Sequence, residues 1–344
     1  MESSASNTPY PWRWIPTLYF SQGLPYVAAM TLSVIMYKNL GVSNTDIALY
    51  TSWLYLPWVI KPLWSPIVDL FRTKRFWIVG LQFVVGAALA AVALTVPGPG
   101  FFRATLAVFW LLAFSSATHD IAADGFYMLA LPTHQQAAFV GVRSTFFRLA
   151  MIAGQGGLVW LAGMLQESTG NMVQAWSLVF GSLGVLFGLV GFYHWFVLPR
   201  PTVDHAVKAD HFTTGYFSAF ASFFQKPQIV IILAYLLLYR LAEAQLLKLA
   251  TPFLLDDREI GGLGLTTQQV GIYYGTVGVL ALTVGGLIGG YIVSRWGLQR
   301  LLWPLIICMH VPNVVYILLA VAQPTNPMWI SAAVAVEQLG YGLG

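Results

Sequence analysis

Long runs of apolar residues, separated by short polar segments, occupy most of this chain. A helix needs about 20 mostly apolar residues to cross the hydrocarbon core of a bilayer. Nine runs reach this length, and a tenth begins near Met328 and is still apolar at Gly344. The nine complete runs are residues 14–36, 47–68, 76–96, 105–131, 138–165, 175–198, 228–254, 270–293 and 301–322. Because the tenth run is unfinished at the last residue, we expect the sequence to be a fragment of a longer chain.

Each run is predicted to be an α-helix, because lipid offers no hydrogen bonds to an open backbone. The sequence lacks the period-two alternation that is typical of a membrane β-barrel. Composition supports this interpretation, since 58% of the residues are hydrophobic and only 9% are charged. A soluble domain carries roughly 25% charged residues. The chain is therefore predicted to be an all-α membrane protein with ten spans, the last of them incomplete.

The positions of lysine and arginine predict the orientation of these spans. Nine basic residues lie in loops on one side and three on the other, and cytoplasmic loops carry the excess in membrane proteins. The N-terminus is therefore predicted to be cytoplasmic. The basic residues behind the net charge of +4 lie mostly in these loops, so we expect no nucleic-acid partner. The single cysteine, Cys308, excludes an internal disulfide or a cysteine cluster.

A polar linker and a weak repeat divide the chain into two parts. Residues 40–50 resemble residues 263–273, at an offset of 223 positions, and each segment leads into the second span of its part. The predicted organisation is a six-helix half at 1–198, a cytoplasmic linker at 199–227, and a second half at 228–344. Two six-helix halves related by a parallel repeat are the plan of the major facilitator superfamily. The sequence predicts this helix bundle, with its second half truncated.

Charged and titratable residues inside the spans are the candidates for function. On insertion scales each charge at the centre of a span costs about 2.5–3.5 kcal/mol, so such residues normally face a cavity or one another. The candidates for proton coupling are Asp120, Asp124, Glu243 and Glu337. The candidates for binding a substrate or a counter-ion are Lys61, His119, Arg143, Arg148, Arg240 and Lys248.

Asp120 and Asp124 are four residues apart in span four, so they share one helix face. The antiparallel course of spans four and five predicts that Asp124, Arg143 and Arg148 lie at similar depth. Two interpretations remain open. Either an aspartate couples to protons and is released from its arginine when it protonates, or the pair is a permanent structural link between the two helices.

Span seven carries a second set near the middle of the membrane. Arg240 and Glu243 are three residues apart, and Lys248 lies on a broader version of the same face. Arg240 is a candidate to bind a substrate carboxylate while Glu243 exchanges a proton. The alternative is a salt bridge that neutralises both side chains. Glu337 adds an intramembrane carboxylate in span ten.

Other charges lie at the predicted cytoplasmic ends of the spans. The long stem of Lys61 favours an interpretation in which its amine reaches the membrane interface, over one in which it binds substrate. A cytoplasmic gate is predicted at Asp69, Arg72, Arg75, Arg295 and Arg300. We find no nucleophile elbow, phosphate-binding loop or histidine set for a metal, so no enzymatic activity and no cofactor are expected.

Several motifs together resemble the AmpG-type muropeptide permeases, a branch of the major facilitator superfamily that is also similar to acetyl-CoA transporters. The motifs are FSQGLP at 20–25, KPLWSP at 61–66 with Asp69, THDI at 118–121 with Asp124, FRL at 147–149 with Gly154, LYRLAEA at 238–244, and EQL at 337–339 with Gly342. The resemblance implies twelve helices and proton-driven import of anhydro-muropeptides into the bacterial cytoplasm. Residues 125–128 and 256–262 depart from the family pattern, which leaves the substrate in question.

The resulting hypothesis is a secondary active transporter in the bacterial inner membrane. It would carry a small anionic solute with protons by alternating access, as a monomer, through a cavity between spans one, four, seven and ten. The alternatives are an importer of a siderophore or another solute, and a membrane receptor that does not transport.

Overall fold

Ten helical segments, α1 to α10, follow one another in a computed structural model that describes residues 10–205, 224–225, 227–239 and 241–344. Each corresponds to one predicted run. They are α1 (Pro11–Asn39), α2 (residues 44–70, in short pieces), α3 (Lys74–Thr95), α4 (Phe101–Ala130), α5 (residues 133–169), α6 (Met172–Val197), α7 (Ile229–Tyr239 and Leu241–Leu255), α8 (residues 267–296), α9 (residues 298–322) and α10 (Pro327–Leu343).

Eight of these helices in the described part of the chain are long and apolar enough to cross a membrane. The predicted second span is not a continuous α-helix. It is broken by 3₁₀ turns at Trp53–Tyr55 and Lys61–Leu63. The reason is its prolines, because each lacks a backbone N–H and disfavours the α conformation of the preceding residue. Helix α10 reaches only 17 residues and is therefore shorter than the others.

The described chain divides into two compact units. The boundaries between the units fall inside helices, so a single helix can contribute residues to both units. Unit one contains Met1–Tyr26, Leu54–Phe147 and Phe180–Leu238, of which the described residues pack around a core that includes Trp14, Phe126 and Tyr127. Beside this core lies a buried series of hydrogen-bonded polar side chains. They come from α1, α3, α4 and the C-terminal part of α6. Unit one contains the charges of spans two and four and Arg143.

Unit two contains Val27–Trp53, Arg148–Val179 and Tyr239–Gly344. Its helices approach one another closely at glycines. A Cβ atom on Gly275 of α8 would overlap the carbonyl oxygen of Gln155 in α5, and one on Gly285 would overlap that of Leu339 in α10. Segments of α1, α5 and α8 in this unit are π-helical, at Ala28–Leu32, Ala153–Leu158 and Gly271–Gly278. Unit two contains Glu243, Lys248 and Glu337.

Candidate functional site

Asp124 of α4 and Arg143 of α5 form the ion pair that the sequence predicted. Arg143 Nη2 donates to Asp124 Oδ1 across 2.5 Å. The same carboxylate oxygen accepts a hydrogen bond of 3.3 Å from the hydroxyl of Tyr19 in α1. The pair therefore joins one guanidinium nitrogen to one carboxylate oxygen, rather than forming the two parallel bonds that arginine and carboxylate can make.

Two tyrosine rings hold the guanidinium of Arg143. Its Cζ atom lies 4.4 Å from the ring centre of Tyr19 and 4.4 Å from that of Tyr127. The two rings are nearly perpendicular, and the Tyr127 hydroxyl donates to the backbone oxygen of Gln136. Cation–π attraction to two anchored rings fixes the direction of the guanidinium. We name Tyr19 and Tyr127 the tyrosine clamp.

Sequence reasoning missed both clamp residues. Tyr127 follows Asp124 by three positions and so shares its helix face, a spacing that gives a usable signal. Tyr19 lies 105 residues from Asp124 in sequence, and its local pattern is that of an ordinary apolar span. The contact of Tyr19 with this site appears only in the folded chain.

The Asp124–Arg143 pair is accessible, with side-chain exposures of 42% and 28%. An accessible pair of this kind contributes about 0–1 kcal/mol to stability, because water competes for both partners. The pair is thus poorly suited to hold two helices together and well suited to exchange partners. An anionic group that reaches the guanidinium can replace Asp124 there.

Asp120 lies on the same helix face but in a different environment. It is buried, and its Oδ2 accepts a hydrogen bond of 3.1 Å from the indole Nε1 of Trp58. Lys61, on the 3₁₀ turn of α2, attracts this carboxylate electrostatically. Gln22 of α1 is a further hydrogen-bonding neighbour of this carboxylate. Lys61 therefore lies where it compensates the buried charge of Asp120.

His119 belongs to the protein core. Gln82 of α3 donates through Nε2 to His119 Nε2 at 3.1 Å and accepts through Oε1 from His194 Nδ1 at 3.0 Å. His194 Nε2 lies 2.9 Å from the hydroxyl of Thr17. This buried chain of four side chains links α1, α3, α4 and α6. These hydrogen bonds place His119 in a buried polar environment, and its role as a substrate candidate stays a prediction.

In unit two, Glu243 of α7 and Glu337 of α10 are each 1% exposed. Glu337 Oε2 accepts hydrogen bonds from the Tyr316 hydroxyl at 3.4 Å and from Gln338 Nε2 at 3.0 Å. Glu243 Oε2 accepts one of 3.3 Å from Asn313 Nδ2. The two carboxylates repel each other electrostatically. The structure thus brings together two acidic candidates that lie 94 residues apart in sequence (337 minus 243).

The remaining substrate candidates have separate surroundings. The Lys248 amine donates to the backbone oxygen of Thr51 at 3.2 Å, also within unit two. Arg148 lies against the glycine-rich face of α8, with Nη2 3.3 Å from the position of a Cβ on Gly286. Arg148 therefore contacts α8 within unit two. Arg240 lies outside the described residues.

The predicted gate residues of unit one have partners that the sequence did not indicate. Asp69 pairs with Lys74, and Arg72 adopts a left-handed backbone with its guanidinium 5.8 Å from the ring centre of Phe76. Asp204 caps the start of α3 by accepting from the backbone N–H of Lys74 at 2.7 Å and from that of Arg75 at 3.1 Å. A carboxylate at a helix N-terminus satisfies free N–H groups and the helix dipole.

Two of the remaining gate candidates, Arg295 and Arg300, lie in unit two, and the third, Arg75, lies in unit one. The guanidinium of Arg295 lies 5.3 Å from the ring centre of Tyr291, and Arg300 is exposed at the start of α9. Arg75 directs its guanidinium to the backbone oxygens of Trp195 and Leu198 in unit one. Whether these groups act as a gate remains a prediction.

Curated relatives of this chain include a permease and several putative transporters. The anhydromuropeptide permease of Escherichia coli strain K12 is 28% identical over 340 residues, which are 95% of this chain and 64% of the relative. A putative transporter AmpG 4 of Rickettsia conorii is 26% identical over 293 residues, covering 80% of this chain and 66% of the relative. The chain thus spans about two thirds of the length of these relatives. They confirm the resemblance to the AmpG-type branch.

Solved structures support the fold. The nucleoside transporter NupG has a TM-score of 0.68 at 15% identity, and the match covers 96% of this chain and 78% of that one. A bacterial homolog of the human lysosomal transporter Spinster, inward-facing and occupied, has a TM-score of 0.70 at 17% identity and covers 97% and 73%. At such identities these structures show the fold alone.

A sequence model described as the Major Facilitator Superfamily matches residues 17–344. The relatives and structural neighbours described above are permeases and transporters, not enzymes. The chain therefore belongs to the major facilitator superfamily and is a multi-pass integral membrane protein.

Proposed function

We propose that this transporter imports an anionic solute of the anhydro-muropeptide class, driven by protons, by alternating access. The observation that carries the proposal is the accessible Asp124–Arg143 pair with its tyrosine clamp. The anhydromuropeptide permease of Escherichia coli among the relatives supports the choice of solute. The proposal includes a monomer in the bacterial inner membrane, a cytoplasmic N-terminus, and two halves at 1–198 and 228–344 joined by the linker.

The substrate step follows from the geometry of the pair. A carboxylate on the solute approaches the clamped guanidinium and forms charge-assisted hydrogen bonds with it. Asp124 then loses its contact with Arg143 and accepts a proton, so that no uncompensated charge remains beside the bound solute. The solute and the proton therefore bind together. Asp120, compensated by Lys61, is the second proton candidate of this unit.

Glu243 and Glu337 are the proton candidates of unit two. Two negative charges buried side by side are unfavourable, because burial removes the water that would separate them. A proton on either carboxylate removes the repulsion while Tyr316, Gln338 and Asn313 continue to satisfy the oxygens. Release of that proton on the cytoplasmic side would make the cycle directional.

Uptake into membrane vesicles that contain the complete protein tests the proposal. We expect labelled anhydro-muropeptide to accumulate when the proton gradient is directed into the lumen and to stop accumulating when a protonophore removes it. Asp124→Asn should abolish gradient-driven accumulation. Asp46→Asn, at an exposed carboxylate at the start of α2, is the matched control and should leave it intact.

Two outcomes contradict parts of the proposal. If the protein is folded but does not take up the muropeptide, this solute is excluded. Siderophores and other anionic solutes then become the leading candidates. Uptake that ignores the gradient excludes proton coupling.

A further inference from the structure

Three aromatic side chains of α1 and α2 pack together in unit one. The ring centre of Tyr26 lies 5.3 Å from that of Trp58 and 6.5 Å from that of Tyr55, and its plane is inclined to theirs by 86° and 72°. The rings of Tyr55 and Trp58 are inclined to each other by only 23°, with centres 6.5 Å apart. Tyr55 is 46% exposed, so the group keeps accessible aromatic surface. We name Tyr26, Tyr55 and Trp58 the aromatic trio.

Polar groups border the aromatic trio. The indole N–H of Trp58 donates to Asp120, and Lys61, three residues further along α2, attracts the same carboxylate. Gln22 of α1 is a buried neighbour of Asp120 and also hydrogen-bonds with it. The amide oxygen of Gln22, Oε1, is itself buried and accepts no hydrogen bond from any described residue. A buried acceptor without a donor is unfavourable, and a ligand that donates a hydrogen bond would satisfy it.

These neighbours distinguish the aromatic trio from aromatic residues that face lipid. Charged side chains inside membrane spans normally face a cavity or one another, because hydrocarbon does not solvate them. The hydrogen bond of Trp58 to Asp120 places its indole on the side of α2 where these charges lie. The aromatic trio therefore borders the same space as Asp120 and Lys61.

One face of α1 joins the aromatic trio to the tyrosine clamp. Tyr19, Gln22 and Tyr26 are spaced by three and then four residues in the helix Ile15–Val27, so they lie on one side of it. Tyr19 contacts the ion pair, Gln22 borders Asp120, and Tyr26 belongs to the aromatic trio. At 1.5 Å per residue, the step from Tyr19 to Tyr26 spans about 10 Å. A solute held at both ends therefore needs two recognised groups about this far apart.

The chemistry of this end of the site fits a carbohydrate ring. A pyranose has a face of C–H groups, which can pack on aromatic surface, and an edge of hydroxyls, which both donate and accept hydrogen bonds. Such hydroxyls can donate to Gln22 Oε1 and accept from the Lys61 amine. A carboxylate would be repelled here by Asp120, and an amine would have to compete with Lys61 for it. Ligand sites commonly combine aromatic walls with a few placed polar groups in this way.

We propose that the aromatic trio, with Gln22 and Lys61, is a second subsite of the transporter and binds an uncharged sugar ring of the solute. The clamped guanidinium of Arg143 takes a carboxylate of the same solute. This inference rests on the proposed function and deepens it, because it assigns recognition of the solute to two separate groups of residues. A solute that lacks either the sugar ring or the carboxylate should bind more weakly.

Binding of two fragments to the complete, purified protein tests the subsite without transport. The sugar probe is N,N′-diacetylchitobiose, an uncharged disaccharide, and the peptide probe is acetyl-D-alanyl-D-alanine, which has a carboxylate and no sugar. Saturation-transfer NMR gives the Kd of each probe. We expect Tyr55→Leu to raise the Kd of the disaccharide by about 2- to 12-fold, the equivalent of an aromatic contact of about 0.5–1.5 kcal/mol. The Kd of the peptide should not change, whereas Arg143→Lys should raise it and leave that of the disaccharide unchanged.

Tyr50→Leu is the matched control. Tyr50 is also an exposed tyrosine of α2, but it lies outside the aromatic trio, so its replacement should leave both Kd values unchanged. Because Tyr55 is exposed, Tyr55→Leu should keep the melting temperature of the original protein, which shows that any loss of binding is local.

A disaccharide Kd that is the same in Tyr55→Leu and in Tyr50→Leu overturns the sugar subsite. Folded original protein that does not bind the disaccharide overturns it as well. Disaccharide binding that depends on Tyr55, together with no uptake of labelled muropeptide, overturns only the proposed import. The failure of the subsite and the failure of the proposed function are therefore distinguishable.

Discussion

Replacement of Arg143 by lysine tests the role of the clamped guanidinium most sharply. Arg143→Lys keeps the positive charge and part of the attraction to the two rings, which is about 0.5–1 kcal/mol for each ring at an accessible site. It removes the planar fork, and with it one of the two parallel hydrogen bonds that a carboxylate would receive. A hydrogen bond to a charged group contributes about 1.5–3 kcal/mol.

This loss corresponds to a rise in the KM for uptake of about 10- to 150-fold. Stability should change by less than about 1 kcal/mol, because the Asp124 pair is accessible to solvent. The assay measures initial rates of labelled anhydro-muropeptide uptake over a range of concentrations in vesicles. The amount of folded transporter is determined by fluorescence-detected size exclusion.

Arg103→Lys provides the matched control, since Arg103 is an exposed arginine in the first turn of α4. It should leave KM unchanged. A KM for Arg143→Lys within twofold of the original protein would refute the assignment of Arg143 to solute binding. A decrease in rate that follows only the amount of folded protein would refute it as well.

Three further predictions concern proton coupling and packing. Glu337→Gln should abolish gradient-driven accumulation but preserve exchange of labelled for unlabelled solute, and loss of exchange as well would contradict a coupling role. Gln82→Leu should lower stability by about 1–3 kcal/mol, measured by thermal unfolding, because it leaves buried imidazole nitrogens without partners; an unchanged melting temperature would contradict the buried chain. Gly275→Ala should lower the stability of the protein by about 1–3 kcal/mol, because the added methyl group would overlap the α5 backbone. Gly290→Ala, also in α8 and with no atom within 4 Å of its Cβ position, should not, and equal effects of the two would refute the close packing.

The helical architecture was predictable because the hydropathy of a local run of residues is enough to identify a membrane span. About 20 apolar residues suffice to identify one, so the ten segments appeared at their expected positions. The second span was the exception, since the prolines of the segment 56–66 preserve hydropathy while breaking the helix. Hydropathy indicates whether a segment prefers lipid or water. It does not report the loss of single backbone hydrogen bonds, which is what the prolines cause.

Parts of the candidate site were predictable for a similar reason. The spacing of Asp120 and Asp124 and the antiparallel course of α4 and α5 were enough to expect an aspartate–arginine pair. The partners Tyr19 and Asp204 were not predictable, because their contacts with Asp124 and Lys74 join residues 105 and 130 positions apart. The tertiary fold brings such residues together, and neither periodicity nor composition records that proximity.

Proton movement coupled to solute movement is the central claim, and it is measured most directly by a pH-sensitive dye enclosed in the vesicles. Anhydro-muropeptide is added outside at equal internal and external pH, with the membrane potential clamped by potassium and valinomycin. We predict that the lumen acidifies at a rate that follows solute uptake, and that Asp124→Asn removes the acidification. Solute uptake without acidification would contradict the account.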